Sequence, residues 1–359
     1  MAHDSDRLSK VVSRRNFVLA SGAAGVATLA GCSSQSDEET GNTSSNSDIA
    51  PLTADGSSTV FPITNGAARL WNGNPPADDQ EYWGPGQYDI DTDQNLADYW
   101  AGMYGFEPTE ERSVPPFNAQ VALSHSGTGV EAVTSGRVDI GDASSTAESI
   151  LGSDHEELEN IVDHVVGVDG QPIVVSREIR DAGVSQITGD ELRAIYKQEI
   201  TNWSEVGGPD QEIYAIGRAE DSGTDTAFRS NLYGDPEAPI EPDTRRGQNQ
   251  QVVNQVEQTD NAIAYIALAF VEPDGATPPI GLELDGTLYE YGENLGAKEY
   301  PLSRDLHCYT YDGTDDRESA FINMILSEFG QQNFVEPNNY FKLPEARREE
   351  ERSKLADQS

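Results

Sequence analysis

The sequence repeats one local pattern, in which a loop of glycine and hydroxyl residues comes directly before a predicted helix. These loops occupy residues 55–62, 124–129 and 217–224, and residues 138–146 likewise run from a short apolar strand into small hydroxyl residues. In an α/β protein such loops meet at the carboxyl ends of the strands, where ligands bind. The pattern therefore predicts an α/β fold with one ligand site built by several loops.

The loop at residues 217–224 indicates which ligand chemistry this pattern favours. Ser222 and Thr224 carry hydroxyls, and Gly223 allows the backbone to approach a ligand closely. The first N–H groups of the following helix have no partner within the helix, and such groups attract anions. Arg218 adds a planar cation whose donors match an oxyanion. The segment alone also fits an ordinary helix N-cap, and the recurrence of the pattern favours an oxyanion clamp.

The chain is strongly acidic, with 63 Asp and Glu against 23 Lys and Arg and a net charge of -40 over 359 residues. Nucleic acid is excluded as a partner because its phosphates would be repelled. An acidic excess without acidic blocks is typical of a surface adapted to high salt, where ions screen the self-repulsion, so a halophilic, haloarchaeal source is expected. The same charge repels anions in dilute buffer, so anion binding must depend on local donors and on salt.

The N-terminus predicts export and membrane attachment. Residues 13–18 have a twin-arginine pattern, and the apolar stretch after it is too short to span a bilayer comfortably. Small residues then precede Cys32, as in a lipoprotein processing box, so residues 1–31 are expected to be a signal and Cys32 the lipidated first residue. The alternative is an uncleaved N-terminal anchor. Either places the protein outside the cytoplasm, with residues 32–48 as a flexible tether.

An unusual composition marks residues 72–117, which are rich in Pro, Gly, Tyr, Trp and Asp. We expect a surface insertion there with one short helix at residues 94–103. The alternation of Asp89, Asp91 and Asp93 favours a solvated loop over a calcium site, because the glycine and distal glutamate of a hand-type loop are absent. No metal site is predicted.

The sequence also predicts two buried strands in the middle of the chain and a charged tail at its end. Residues 164–168 and 172–176 predict two buried strands around a turn at residues 169–170. Residues 346–359 form a charged tail that is expected to fray.

The motifs stand in a recognisable order along the chain. They are residues 55–62, residues 126–130, residues 139–145, Asn202-Trp203 with Gly207-Gly208, Arg218 with residues 222–224, and residues 300–304. In this order they resemble the phosphate-binding proteins of phosphate ABC transporters. The resemblance extends from residue 49 to residue 339, is specific in the donor loops, and is blurred across residues 72–117.

The resemblance implies a two-lobed periplasmic-binding-protein fold of type II, in which each lobe is a mixed sheet flanked by helices and phosphate lies in the cleft. It implies no reaction and no cofactor, and as partners it implies inorganic phosphate and the permease subunits of an ABC transporter; the protein is expected to be a monomer. The implied ligand-binding residues are Ser58, Thr59, Val60, Phe61, Ser126, Ser144, Arg218, Ser222, Gly223 and Thr224, with Val60 and Phe61 donating through backbone N–H.

Two crossings between the lobes, near Gln171 and Tyr300, follow from this resemblance. Lobe one would comprise residues 49–171 with 301–345, and lobe two residues 172–300. Closure of the lobes around the ligand would then be a hinge motion.

The sequence departs from the resembled family at one point. Members often have an Asp after the Gly-Ala-Ser run and an Arg after the paired residues; here Ser144 or Ser145 and then Thr146 stand in that region, with Asp142 nearby. The Asp accepts the proton of hydrogen phosphate, so another tetrahedral oxyanion, such as sulfate, molybdate or tungstate, stays open as the ligand.

Two other function classes are less well supported. An extracellular phosphohydrolase would need a nucleophile with a base or a metal cluster, but the five histidines are scattered and only His125 lies beside a donor loop. A structural or adhesive lipoprotein would explain the tether and the acidity, but not the donor loops. We therefore expect a binding protein and not an enzyme.

Overall fold

The computed structural model describes residues 49–295 and 299–359. Its strands are β1 (Leu52–Gly56), β2 (Ala119–Val121), β3 (Ile140–Ala143), β4 (Ile161–Gly170), β5 (Ile173–Val175), β6 (Gln186–Thr188), β7 (Tyr214–Arg218), β8 (Thr244–Arg246), β9 (Ala262–Tyr265), β10 (Pro279–Leu284), β11 (Thr287–Tyr289) and β12 (Ser303–Tyr311). The α-helices are α1 (Phe61–Gly73), α2 (Leu96–Gly102), α3 (Ser126–Thr134), α4 (Ala147–Leu151), α5 (Arg177–Asp181), α6 (Gly189–Ile195), α7 (Gly223–Tyr233), α8 (Asn249–Glu257), α9 (Asp316–Leu326), α10 (Glu328–Gly330) and α11 (Glu345–Arg352).

The strands form two mixed sheets. The first has the order β2-β1-β3-β12-β4, with β1 parallel to β2 and β3, and β12 antiparallel to its neighbours. The second has the order β11-β10-β5-β9-β7-β8, with β6 paired to β10. The mixed α/β class expected from the sequence is confirmed.

The chain passes from the first sheet to the second between β4 and β5, and it returns between β11 and β12. The predicted turn at residues 169–170 is wrong, because Asp169 and Gly170 are the last residues of β4 and pair with Arg304 and Ser303. An ion pair between the Asp169 and Arg304 side chains stabilises this pairing. β4 and β5 therefore belong to different sheets.

Local signals in the sequence explain where several helices begin. Pro62 lies in the first turn of α1, where its missing N–H costs nothing. Thr188 and Glu191 form a capping box at α6. Ser222 caps α7 through its hydroxyl, which accepts from the Thr224 N–H at 3.2 Å. The loop chemistry thus fixes the helix starts as well as the donors.

Residues 72–117 do not form the surface insertion that was expected. Trp83, Trp100 and Phe117 are buried in the same hydrophobic core as α1 and α9. Trp71 Nε1 donates to the Phe117 carbonyl oxygen at 2.7 Å, and the Trp83 ring packs edge-on against Phe329 with centroids 4.9 Å apart. The predicted helix is present as α2, and the acidic alternation at residues 89–93 is exposed. The aromatic residues are there because they bury the flank of the first sheet.

The charged tail is also more ordered than predicted. Residues 345–352 form α11, whose Glu351 is buried and accepts from the Val165 N–H at 3.0 Å. Arg347 pairs with Asp305, and Ser359 N donates to the Met103 carbonyl oxygen at 2.9 Å. The expected fraying is wrong because one face of this charge run has partners in β4, in β12 and beside α2.

Within the part of the chain that the structure describes, no helix is long and apolar enough to cross a membrane. The predicted signal, Cys32 and the tether lie outside the described residues.

Candidate functional site

The donor loops of the two sheets converge on one buried group of hydroxyls, which we call the hydroxyl cluster. It consists of Ser57, Ser58, Thr59, Ser126, Ser144 and Thr224, all at most 3% exposed. Thr59 Oγ1 lies 3.2 Å from Thr224 Oγ1, and the Gly127 N–H donates to the Asp221 carbonyl oxygen at 3.3 Å. These contacts join loops at the ends of the first sheet to the α7 loop of the second.

The structure brings the predicted site residues into this one region. Ser126 and Ser144 face each other with their hydroxyl oxygens 3.4 Å apart, and Ser58 accepts from Arg218 Nη2 at 3.3 Å. The backbone N–H groups of Val60 and Phe61 both donate to the Ser57 carbonyl oxygen, at 3.1 and 2.9 Å. Those two N–H groups are therefore engaged inside the loop, whereas the hydroxyls meet across the two sheets.

Gly223 lies where the two sets of loops come closest. A Cβ atom at this position would stand 2.3 Å from Ser126 Oγ and 2.9 Å from Ser144 Oγ. These distances are far below van der Waals contact, so only glycine permits this approach.

Replacing Gly223 by alanine should therefore hold the two loops apart and weaken oxyanion binding roughly tenfold or more, in the range that overpacking of a tight contact costs. Titration calorimetry measures the change. Gly86→Ala is the control, because a Cβ there meets no atom within 4 Å. Equal affinities in the two variants would show that the approach at Gly223 is not needed.

Arg218 is the central cation of the site. Its side chain is 1% exposed, and its guanidinium donates to Asn249 Oδ1 at 2.8 Å, to the Gly247 carbonyl oxygen at 2.7 Å and to the Arg246 carbonyl oxygen at 3.2 Å. All of these acceptors are neutral, and no carboxylate of the described residues lies within ion-pair distance of this guanidinium. Burial lowers the pKa of Arg218 to about 10. A buried cation of this kind is stabilised by an anion.

A second arginine, Arg304, reaches the hydroxyl cluster from β12. Its Nη1 donates to Ser144 Oγ at 3.3 Å and its Nη2 to Thr59 Oγ1 at 3.3 Å. Asp169 holds it in place through Oδ2, which lies 3.0 Å from Nε and 2.7 Å from Nη2. Burial raises the pKa of Asp169, and the guanidinium acts against that rise. Two arginines and one aspartate leave the site with a formal charge of +1.

The sequence predicted no role for Arg304 or for Asn249. Arg304 lies in the motif at residues 300–304, but nothing in the sequence shows that β12 runs beside the donor loops. Asn249 is fully buried at the start of α8, and its Nδ2 donates to Ser58 Oγ and Thr59 Oγ1, at 3.2 Å each. At Asn249 the sequence indicates only the start of a helix in a polar segment.

Asp142 is not part of the hydroxyl cluster. Its Oδ2 accepts from Thr64 Oγ1 at 2.6 Å, and its Oδ1 lies 3.5 Å from Cys308 Sγ, between α1 and β12. It therefore does not replace the aspartate that the resembled family often has near residues 144–146. Burial raises the pKa of Asp142 to about 7.

This raised pKa predicts a pH dependence of stability. An unfolded aspartate ionises near pH 4, so between about pH 4 and pH 7 the unfolded chain gives up a proton that the folded chain keeps. As the pH rises from about 4 to about 7, the free energy of unfolding should therefore fall, by on the order of 4 kcal/mol. Asp142→Asn should remove the Asp142 share of this fall and leave the share of Glu318, whose pKa burial raises to about 8; denaturant unfolding in high salt at pH 5 and pH 8 measures the difference. The same fall in the variant would exclude Asp142 as its cause.

Two other groups of side chains have the residue types that metal binding or catalysis would need. Asp139, Asp315 and Glu318 lie close together, but Arg317 Nη2 already sits 2.9 Å from Asp139 Oδ1 and 3.0 Å from Asp315 Oδ2. His125 lies beside the cluster with its Nδ1 buried and without a partner among the described residues. Its ring lies beside Gly247, where a Cβ atom would stand 2.7 Å from His125 Cε1.

Comparison with known proteins places these features in a family. The family model for the PBP superfamily domain matches residues 96–328. The phosphate-binding protein PstS of Bacillus subtilis is 34% identical over 229 residues, which are 64% of this chain and 72% of that protein. The protein of the same name from Borreliella burgdorferi is 27% identical over 49% of this chain and 64% of its own length.

Solved structures show the same fold at low sequence identity. A structure with bound phosphate from Clostridium perfringens, described as a phosphate ABC transporter substrate-binding protein, has a TM-score of 0.61 at 21% identity and covers 82% of this chain and 100% of that chain. An ABC-type phosphate transport receptor from Vibrio cholerae has a TM-score of 0.54 at 23% identity, with the same coverage. The chain belongs to the PBP superfamily and, within it, to the family of PstS phosphate-binding proteins.

Proposed function

We propose that this protein binds inorganic phosphate in the hydroxyl cluster and delivers it to the permease of a phosphate ABC transporter. The observation that carries the proposal is Arg218, a buried guanidinium whose partners are all neutral. The PstS relatives and the transport receptors of the same fold support phosphate as the ligand.

The chemistry of the cluster suits hydrogen phosphate. Arg218 and Arg304 offset the charge of a dianion, and serine and threonine hydroxyls can donate to its oxygens. A hydroxyl can also accept the proton of hydrogen phosphate. The hydroxyls accept this hydrogen bond because both oxygens of Asp169 already have donors, Arg304 and the Leu268 N–H. In the structure the hydroxyls bond to one another, so phosphate would replace contacts such as Thr59–Thr224.

Entry of the ligand then requires the two lobes to separate. We propose lobe one as residues 49–171 with 301–345 and lobe two as residues 172–300. Gln171 lies at the first crossing: its Nε2 donates to the Thr224 carbonyl oxygen at 2.8 Å, and its own carbonyl accepts from Tyr300 Oη at 2.6 Å. Both crossings are thereby tied to the α7 loop, which suits a hinge that responds to the ligand.

The sequence supports an extracytoplasmic location. We propose export by the twin-arginine route, lipidation at Cys32 and a tether at residues 32–48 that leaves the monomeric binding domain free to reach the permease. The net charge of -40 supports a halophilic setting, in which salt screens the repulsion between the acidic surface and phosphate.

Binding without a reaction is the function that we propose, since the named relatives are binding and transport proteins. A phosphohydrolase would show steady release of phosphate from a phosphoester by the purified protein.

The proposal is tested by calorimetric titration of the protein in high salt with phosphate, sulfate and molybdate. We expect one phosphate per chain and at least about tenfold weaker binding of the other two anions. Only hydrogen phosphate carries an O–H that can donate a hydrogen bond to a hydroxyl oxygen. Tighter binding of sulfate or molybdate would assign a different oxyanion. No heat with any of the three would refute the oxyanion clamp.

A further inference from the structure

A second cavity lies in the first lobe, away from the hydroxyl cluster. It has a volume of about 290 Å³ and is bounded by α2, α9 and α11 and by the segment before α2. Four aromatic side chains line it, namely Tyr88, Tyr99, Trp100 and Phe329, together with Glu345 and Arg348. None of its lining residues belongs to the phosphate site.

Two side chains that line this cavity carry buried donors without acceptors. Trp100 Nε1, Arg348 Nε and Arg348 Nη1 have no hydrogen-bond partner in the described part of the chain. Trp100 is 4% exposed and Arg348 is 6% exposed. A buried donor without an acceptor is costly, and both side chains line the cavity, so an acceptor bound there would satisfy them. The Arg348 Nε–H and Nη1–H point to different sides of the guanidinium, so one oxygen of a carboxylate can accept from one of them and the other oxygen from Trp100 Nε1.

The charges around the cavity restrict the ligand further. Arg348 Nη2 lies 2.8 Å from Glu328 Oε2 and also pairs with Glu345, which in turn lies 3.4 Å from Arg352 Nη1. Lys342 also pairs with Glu328 and with Glu336, so three cations and three carboxylates balance in this network. A simple anion would add an unpaired negative charge to a protein whose net charge is already -40. A ligand that carries both signs avoids that cost, and the aromatic faces and Glu345 favour its cationic end.

We propose that this cavity binds a small zwitterion in which a carboxylate is joined to a compact alkylated ammonium group. The carboxylate accepts from Arg348 and Trp100, and the ammonium group lies among the aromatic side chains beside Glu345. This site is independent of the phosphate site and does not depend on its assignment.

Glycine betaine is the probe for this site, titrated into the protein in the presence of saturating phosphate. We expect saturable binding of one betaine per chain. Two analogues separate the two ends of the ligand: 3,3-dimethylbutanoate has the same shape without the positive charge, and choline lacks the carboxylate. Each should bind at least about tenfold more weakly, the loss that follows from one cation–π or charge-assisted contact.

Two tryptophan variants test whether betaine binds in this cavity. Trp100→Phe keeps an aromatic ring but removes the unpaired N–H, so it should weaken betaine binding about fivefold and leave phosphate affinity unchanged. Trp203→Phe is the matched control, because Trp203 does not line the cavity and its Nε1 already donates to the Asn261 carbonyl oxygen at 3.0 Å; it should leave betaine affinity within about twofold.

Three results would overturn the proposal: no saturable betaine binding by the wild-type protein, equal binding of betaine and both analogues, or equal affinities of the two tryptophan variants. The comparison of ligands needs no substitution, so it remains decisive even if a variant is unstable.

Discussion

Arg218→Ala is expected to weaken phosphate binding at least about 100-fold, which corresponds to about 2.7 kcal/mol. The variant loses a buried cation that has no carboxylate partner among the described residues, and with it a charge-assisted contact to the ligand. It also leaves the Gly247 carbonyl oxygen without the Arg218 donor, and Asn249 Oδ1 with only the Ala267 N–H at 3.3 Å. We therefore expect a lower unfolding midpoint as well, measured by thermal denaturation beside the calorimetric titration.

Arg246→Ala is the matched control for this experiment. It removes the same charge close by in the chain, but its side chain pairs with Thr244 and Gln255 instead of the hydroxyl cluster. Phosphate affinity within about threefold of wild type is expected for it. If Arg218→Ala binds phosphate as well as Arg246→Ala does, Arg218 is not part of the site.

Arg304→Met is expected to be the most destabilising single substitution near the cluster. It leaves the Asp169 carboxylate buried without its cation, and breaking a buried pair in this way costs about 3–5 kcal/mol. Phosphate binding should also be lost, because Arg304 contacts both Ser144 and Thr59. Denaturant unfolding at pH 7 measures the first effect, and titration of the remaining folded protein measures the second.

The double variant Arg304→Met/Asp169→Asn separates stability from binding. An amide at residue 169 still accepts from the Leu268 N–H, which now donates to Asp169 Oδ1 at 2.9 Å, and it carries no charge. We expect most of the stability to return while phosphate binding stays at least about tenfold weakened. Recovery of wild-type affinity in the double variant would show that Arg304 has only a structural role.

The sequence could predict where the loop before α7 gives way to the helix, because helix capping is local. A hydroxyl residue that caps a helix and a glycine beside it follow from neighbouring residues, so the loop at Ser222 and Gly223 could be assigned before any contact was known. The close approach of Gly223 to Ser126 is consistent with that assignment.

Contacts between distant segments could not be predicted in the same way. Arg304 and Asp169 are 135 residues apart, and only the pairing of β12 with β4 brings them together. The same limit explains the error at residues 169–170, where an Asp-Gly pair indicated a turn but the ion pair of Asp169 keeps the strand extended.

Composition misled the predictions where polar or charged segments bury one face. Residues 72–117 contain many loop-forming residues, yet Trp83 and Trp100 pack into the core. The charge run of α11 contributes Arg348 and Glu351, both buried by partners far away in the chain. A tally of charged residues cannot show which of them will find such partners.

We propose that a tetrahedral oxyanion binds between Arg218, Arg304 and the hydroxyl cluster. Crystals grown with arsenate, a phosphate analogue whose arsenic scatters anomalously, test it most directly. We predict one strong anomalous peak per chain, with arsenate oxygens within about 3 Å of Thr59, Ser126 and Thr224 hydroxyl oxygens and of the Arg218 guanidinium. A fully occupied peak elsewhere, with the Thr59–Thr224 contact intact, would contradict the account.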